Sequence, residues 1–225
     1  MKIGVLNTGH PPEGMEEGGT YDRYFARLLD GNGFTFQGWN VVDGDFPDSI
    51  NDADGWLITG SKHGAYEAHD WIPPLEQFVR ECYAVNIPMI GVCFGHQIIA
   101  QAMGGRVEKF AGGWSVGSTK YRMNGRDYAI NAWHQDQVVE KPDNAEVFAE
   151  TDFCAYAGLL YDNRIWTIQP HPEYGSDFIA GLIEKRGKGV VPDDLMKQAL
   201  AKLDQPSDRM DVAAIMAEFF MKERA

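Results

Sequence analysis

Gly91-Val92-Cys93-Phe94-Gly95 constrains the fold of this chain more than any other stretch. A Gly-x-nucleophile-x-Gly pentapeptide fits a sharp turn from a strand into a helix, with one reactive side chain presented at the corner. The flanks agree: Ile87 to Val92 is the short apolar run that a buried parallel strand requires, and His96 to Met103 carries apolar residues at helical spacing. Cys93 then lies at the start of a helix. Unpaired N–H groups and a positive partial charge there favour thiolate over thiol and leave a donor for a developing oxyanion. Taken alone, the pentapeptide also fits a buried structural cysteine, since free Cys is among the most buried residue types.

A second element lies far downstream, where the apolar run Ile165-Trp166-Thr167-Ile168 leads through Gln169-Pro170 to His171-Pro172-Glu173. A thiolate nucleophile needs a proton carrier, and the carrier needs a group that fixes its tautomer and supports its charge. Cys, His and a carboxylate together therefore make a hydrolytic triad. Pro170 and Pro172 stiffen the backbone around His171 and keep a helix from starting before Glu173. A histidine between two prolines is also an ordinary turn residue; the distant elbow tips the balance toward catalysis.

Gly-Val-Cys-Phe-Gly-His-Gln followed by a distant His-Pro-Glu resembles the class I (triad) glutamine amidotransferase family. Ile58-Thr59-Gly60-Ser61 before the elbow and Trp133-His134-Gln135-Asp136-Gln137-Val138 after it fall in the family's order, so the resemblance spans roughly residues 1 to 185. It implies Cys93 as nucleophile, His171 as general acid/base and Glu173 as its orienting partner. The oxyanion hole would come from the N–H of Phe94 and from Gly60 or Ser61. Gln97 matches a position that contacts the glutamine substrate, and Trp114, Ser115 and Val116 match a region that presents backbone groups to its α-amino and carboxylate groups. The chain departs from many members, which have a Gly-Gly-Pro turn where it reads Thr59-Gly60-Ser61. The familiar members also attach to, or pair with, an ammonia-consuming synthase, for which 225 residues leave no room. Stand-alone relatives, including plant γ-glutamyl peptidases, share the Thr-Gly-Ser turn and the Cys-Phe-Gly-His-Gln elbow and cleave γ-glutamyl amide bonds in peptides. The resemblance extends to GMP-synthase-type glutaminase domains. Three readings follow: a stand-alone hydrolase of glutamine or a γ-glutamyl compound, an ammonia-supplying subunit whose synthase is another chain, and a catalytically silent binding protein on the same fold.

A net charge of −13 argues against nucleic acid or anionic membrane as partner, because phosphate binding relies on clustered Lys and Arg. Long apolar stretches are absent, and the strand-like Met1 to Asn7 reaches Thr8-Gly9 too soon for a signal peptide or a membrane span. Cys82, Cys93 and Cys154 are an odd set without metal-like spacing, as expected of a reducing, cytoplasmic compartment. His63 and His69, with Asp70, match no common metal motif and read as a solvated loop. Neither metal nor organic cofactor is expected. His96 is expected to pack along the helix, and His134 to take a structural hydrogen-bonding role.

The apolar pattern alternates strand and helix over the first hundred residues. Strands fit 2 to 7, 34 to 39, 55 to 60 and 87 to 92; helices fit Tyr21 to Leu29 and 73 to 85, the latter opened by Pro73-Pro74. This order predicts an α/β, doubly wound, mostly parallel sheet of flavodoxin type, with ligands at the carboxyl ends of the strands. From 106 to 169 shorter segments (106 to 110, 119 to 123, 128 to 133, 153 to 160 and 164 to 169) predict antiparallel additions. Residues 8 to 19 form a Gly- and Pro-rich loop over the catalytic edge, read either as a selector of the group attached to the γ-glutamyl moiety or as a solvated loop. Residues 1–186 are expected to form the catalytic domain. Residues 187–225 are expected as a helical extension with amphipathic segments at Pro192 to Leu203 and Ser207 to Lys222, packing back on the domain or making a homo-oligomer or partner contact.

Overall fold

A computed structural model, which describes residues 1–15 and 18–224, realises the alternation of strand and helix. In chain order the elements are β1 (Lys2–Leu6), α1 (Tyr21–Leu28), β2 (Thr35–Trp39), β3 (Gly55–Ile58), α2 (Ile72–Ala84), β4 (Met89–Val92) and α3 (Phe94–Ala102). Then follow β5 (Arg106–Lys109), β6 (Ser115–Met123), β7 (Arg126–His134), β8 (Asp136–Glu140), β9 (Ala145–Glu150), β10 (Gly158–Tyr161) and β11 (Ile165–Ile168). The described chain closes with α4 (Ser176–Leu182), α5 (Asp193–Leu200) and α6 (Arg209–Met221).

β3 and β4 are buried at every residue, as a parallel strand covered on both faces must be. The main sheet has the order β2-β1-β3-β4-β11-β10-β9-β6-β7, and β5 pairs with β8 in a separate ribbon. Its parallel part runs from β2 to β11, and the pairs from β11 to β7 are antiparallel. The fold is thus the expected α/β class: a doubly wound parallel sheet with antiparallel additions and C-terminal helices. One pairing matters most for the site. β11 returns from the antiparallel region to lie beside β4 in the register Ile168↔Val92, so the segments leaving the carboxyl ends of both strands emerge side by side.

Two apolar layers sandwich the sheet. Leu75, Phe78 and Val79 of α2 with Ile98 and Ile99 of α3 cover one face. Phe25 and Leu28 of α1 with Val212, Met216 and Phe220 of α6 cover the other. α6 buries one face, through Val212, Ala213, Met216, Ala217, Phe219 and Phe220, and leaves Asp211, Ala214, Glu218 and Met221 exposed on the other, as an amphipathic helix packed on the domain does. A third cluster joins Tyr21, Tyr174 and Phe178 to Met196 and Ala199 of α5. No helix among the described residues is long and apolar enough to cross a membrane.

The antiparallel region differs in detail from the expectation. β6 and β7 are longer than anticipated and are joined by Asn124-Gly125, both at positive φ (49° and 83°), a two-residue hairpin turn whose twist suits the strands. The anticipated strand over 153 to 160 shrinks to β10, because the Thr151 hydroxyl accepts from the N–H groups of Phe153 (3.1 Å) and Cys154 (2.8 Å) and folds that stretch into a turn. β8 and β9 were not anticipated. The β9 sequence Ala-Glu-Val-Phe-Ala-Glu is rich in helix formers, and tertiary pairing overrides that preference.

Candidate active site

Cys93 occupies the corner between β4 and α3 with φ 53° and ψ −104°, a conformation that a non-glycine residue holds only when its surroundings over-determine it. Those surroundings are explicit. The Cys93 N–H donates to Ile168 O at 2.9 Å, its carbonyl accepts from Gln97 N at 3.1 Å, and Gly95 N donates to Thr59 O at 3.0 Å. The flanking glycines are a packing requirement: a Cβ on Gly95 would collide with the carbonyl of Ile58, and one on Gly91 would stand 2.6 Å from the Gly95 carbonyl. Only with both positions bare can α3 press against β3 and β4. Phe94 is the first residue of α3, so its N–H has no intrahelical acceptor, and the positive end of the helix lies at Cys93.

His171 sits beyond the end of β11. Its Nδ1 lies 2.7 Å from Glu173 Oε1, and both side chains are almost wholly buried. Cys93 lies close enough to act on the ring electrostatically, and the Gly60 backbone faces both residues. Burial opposes charging of the imidazole, but the Glu173 carboxylate and Cys93 together outweigh it and raise the His171 pKa from 6.5 to about 10. At neutral pH the ring therefore favours the imidazolium form, beside the Glu173 carboxyl group. Tyr174 stacks flat on it, with centroids 4.0 Å apart and planes 7° from parallel. The backbone is clamped from two directions. Asn131 of β7 accepts from His171 N (2.8 Å) and donates through Nδ2 to Tyr174 O (2.9 Å). Arg209, at the start of α6, donates through Nε to Pro172 O (2.9 Å) and through its guanidinium to Glu173 O (3.4 Å). Asp208 beside it accepts from Ala129 N at 2.7 Å, tying the same segment to β7.

The Thr59-Gly60-Ser61 turn leaves β3 directly opposite. A Cβ on Gly60 would stand 2.9 Å from His171 Cε1 and 3.7 Å from Cys93 Cβ, so this turn closes over both groups. Thr8 braces it from the end of β1: its hydroxyl lies 3.0 Å from the carbonyl oxygens of both Thr59 and Gly60, and its N–H donates to Thr59 Oγ1 at 3.1 Å.

These groups open onto a cleft of about 530 Å³ whose lining includes Ser61, Cys93, Gln97, Trp114, His171 and Tyr174. Among the expected substrate contacts, Trp114 faces the cleft, 6.1 Å from Trp133 between ring centroids. Ser115 and Val116 begin β6 and, among the described residues, do not line it. Gln97 lines the cleft, but its amide nitrogen already donates to Asp136 O (2.8 Å) and Gln169 Oε1 (3.1 Å), which leaves its oxygen for a ligand. Glu16 and Glu17 of the 8 to 19 loop lie outside the described residues; none of that loop's described residues lines the cleft, and the carbonyl of His10 accepts from Arg186 at 3.1 Å. His134 is fully buried with Nδ1 3.3 Å from Asp136 O; burial first and the charge of His171 second press its pKa down to about 3 and keep it neutral. His96 packs in α3 with Nδ1 2.8 Å from Thr167 Oγ1, likewise lowered to about 3 by burial.

Sequence reasoning did not find Thr8, Asn131, Tyr174 or Arg209. Tyr174 carried a usable signal, an aromatic residue directly after His171-Pro172-Glu173. Arg209 carried none, because only the docking of α6 brings it near.

Residues 36–178 match the family model described as glutamine amidotransferase class-I. Gamma-glutamyl peptidase 4 of Arabidopsis thaliana is 31% identical over 183 residues, covering 74% of this chain and 73% of the relative. One subunit of the glutamine-hydrolyzing GMP synthase of Halobacterium salinarum is 31% identical over 170 residues, covering 71% of this chain and 86% of the relative. Among solved structures, a glutamine amido transferase from Methylobacillus flagellatus superposes with a TM-score of 0.77 at 20% identity over 98% of this chain and 91% of its own, a likeness of fold.

Proposed function

The chain belongs to the class-I glutamine amidotransferase family, and from that premise we propose that it hydrolyses the γ-glutamyl amide bond of glutamine or of a γ-glutamyl compound through a cysteine thioester. The observation that carries this reading is the alignment of Cys93, His171 and Glu173 around a strained elbow.

In this mechanism the Cys93 thiolate attacks the γ-carbonyl carbon. The resulting oxyanion takes hydrogen bonds from the N–H of Phe94 and from the Gly60-Ser61 turn. The His171 imidazolium then gives its proton to the departing nitrogen, which leaves as ammonia or an amine. The neutral ring takes a proton from water, water attacks the thioester carbon, and glutamate and the thiolate are released. Glu173 holds the tautomer and supports the positive charge throughout. Neither a metal nor an organic cofactor takes part in these steps.

The cleft favours an anionic substrate. Lys62, Lys109, Lys185, Arg186 and Lys188 line it in a chain whose net charge is −13, and its acids are engaged, Glu67 with His69 and Asp136 with Tyr66. A leaving portion that carries its own carboxylate gains from that local field. The match to a single subunit of a GMP synthase favours a second reading, an ammonia-supplying glutaminase paired with a separate synthase chain.

Glutamate release from glutamine and from a panel of γ-glutamyl amides and peptides, with Cys93→Ser as control, tests the proposal. Cys93-dependent turnover that ranks carboxylate-bearing peptides above glutamine is the expected result. Weak turnover throughout that rises on adding a synthase selects the second reading. Absence of any Cys93-linked thioester with folded protein overturns both and leaves a silent binding protein.

A further inference from the structure

The segment between the Gly60-Ser61 turn and α2 brings His63 and His69, which the sequence pattern left with Asp70 as a solvated loop, together with Glu67, which it did not single out. Glu67 Oε2 lies 3.3 Å from His63 Nδ1 and 2.7 Å from His69 Nε2. The three donor atoms all fall within 4.8 Å of one another, and the two imidazole rings stand 4.3 Å apart between centroids. We propose that His63, Glu67 and His69 form a divalent-cation site, of the kind zinc occupies, on the wall of the cleft that holds Cys93.

Two imidazoles and one carboxylate are a donor set that zinc accepts, with a fourth position left for water or another ligand. Ligand bonds of about 2.0–2.2 Å in tetrahedral geometry set donor atoms roughly 3.3 Å apart. The His63 to Glu67 separation already meets this, and the shorter His69 to Glu67 contact needs to open by about half an ångström, within the freedom of a partly exposed carboxylate.

The backbone is held independently of any ion. His63 N donates to Ser61 Oγ (3.1 Å), Glu67 N to Gly64 O (3.0 Å), His69 N to Glu67 O (3.0 Å) and Ile72 N to His69 O (3.1 Å), so consecutive turns fix where the three side chains start. The His69 ring is stacked on Trp71 at 5.9 Å and 14°, which limits its rotation, and Trp71 in turn packs on Phe94 at 5.4 Å. Such support is what a metal ligand needs from its neighbours. The spacing escaped the sequence reading because the convergence comes from turns rather than from one helix face.

His63 and Glu67 both line the cleft. An ion held there adds positive charge to a wall that already attracts carboxylates, with its free position open to what enters. The site stands apart from the triad: a chain with a silent Cys93 would still bind the ion.

The test is calorimetric titration of ZnCl₂ into the full chain carrying Cys93→Ser, which removes the thiol as a competing ligand while Cys82 and Cys154 stay buried. One Zn²⁺ per chain is expected, weakened at least about tenfold in His63→Gln, in His69→Gln and in Glu67→Gln, with circular dichroism unchanged. His10→Gln, at an exposed His–Asp pair away from the segment, should leave binding untouched. Binding that survives both His63→Gln and His69→Gln, or no binding at millimolar Zn²⁺, overturns the proposal.

Discussion

Gly60→Ala adds one methyl group at the most crowded point of the candidate site. The backbone there has no positive φ, so alanine meets no conformational penalty of its own. Its Cβ would lie 2.9 Å from His171 Cε1, whereas carbon atoms rest about 3.5–4.0 Å apart, so something must give by roughly 0.6–1.1 Å. The ring has little room to yield: Glu173 holds Nδ1 at 2.7 Å and Tyr174 is stacked on it. The turn is itself tied to Thr8. Either the imidazole shifts relative to Cys93 or the Gly60-Ser61 turn, the oxyanion donor of the proposed mechanism, lifts away. A misplacement near 1 Å costs about 10²-fold in rate, equivalent to roughly 2.7 kcal/mol of transition-state stabilisation. Overpacking by a single methyl lowers stability by about 1–3 kcal/mol, which a folded domain of this size withstands. The assay is kcat for glutamate release on the best substrate of the panel, with a thermal melt on the same sample. A folded Gly60→Ala protein that retains kcat within about threefold of wild type would refute the claim that this turn is fitted against His171.

Two further perturbations follow from charge. Glu173→Gln keeps the shape but removes the carboxylate that raises the His171 pKa to about 10, so kcat should fall by about 10²–10⁴-fold while the fold survives. The pH profile of kcat/KM checks the same point: wild type should lose activity as pH rises through about 10, and Glu173→Gln should lose it at lower pH. Because the folded-state pKa is raised, His171 adds stability that is complete below 6.5 and disappears as pH climbs through about 10. His96 has the opposite sign. Burial lowers its pKa to about 3, so its share of stability is complete above 6.5 and drains away as pH falls toward 3, at up to about 1.4 kcal/mol per pH unit. Urea unfolding of His96→Asn between pH 7 and 4 should show a slope shallower by about one proton than wild type; identical slopes would mean that His96 takes up no proton on unfolding.

The parts of this molecule that could be read from sequence are those whose geometry is local. An apolar strand ending in Gly-Val-Cys-Phe-Gly implies a corner, and the corner implies where Cys93 points. Likewise Ile165 to Ile168 ending in Gln-Pro-His-Pro-Glu puts His171 and Glu173 at a strand terminus, and their contact spans only two residues. That the two termini meet depends on β11 choosing β4 as its neighbour, which no periodicity encodes. β9 was invisible because Ala and Glu favour helix until an edge of sheet is available to pair with. The amphipathic pattern read over 207 to 222 is found in α6, whose Val212, Met216 and Phe219 face the core while Asp211, Ala214 and Glu218 face solvent, because a helical period is a local property. His63, Glu67 and His69 lie on turns where no period relates side chains, so their convergence appears only once the backbone is drawn.

The clamp from Arg209 to the carbonyls of Pro172 and Glu173 sets an order of events during synthesis. Every residue of the Cys-His-Glu set has been polymerised by position 173, but the guanidinium that anchors its carboxylate arm follows 36 residues later. At roughly 5–20 residues per second that is a delay of about 2–7 s. Through that interval the nascent polypeptide lacks the Arg209 contacts to the Pro172 and Glu173 carbonyls and the α6 cover on its face of the sheet. Under the proposed mechanism, full reactivity would therefore follow the docking of α6, when the rest of the body is in place around the cleft.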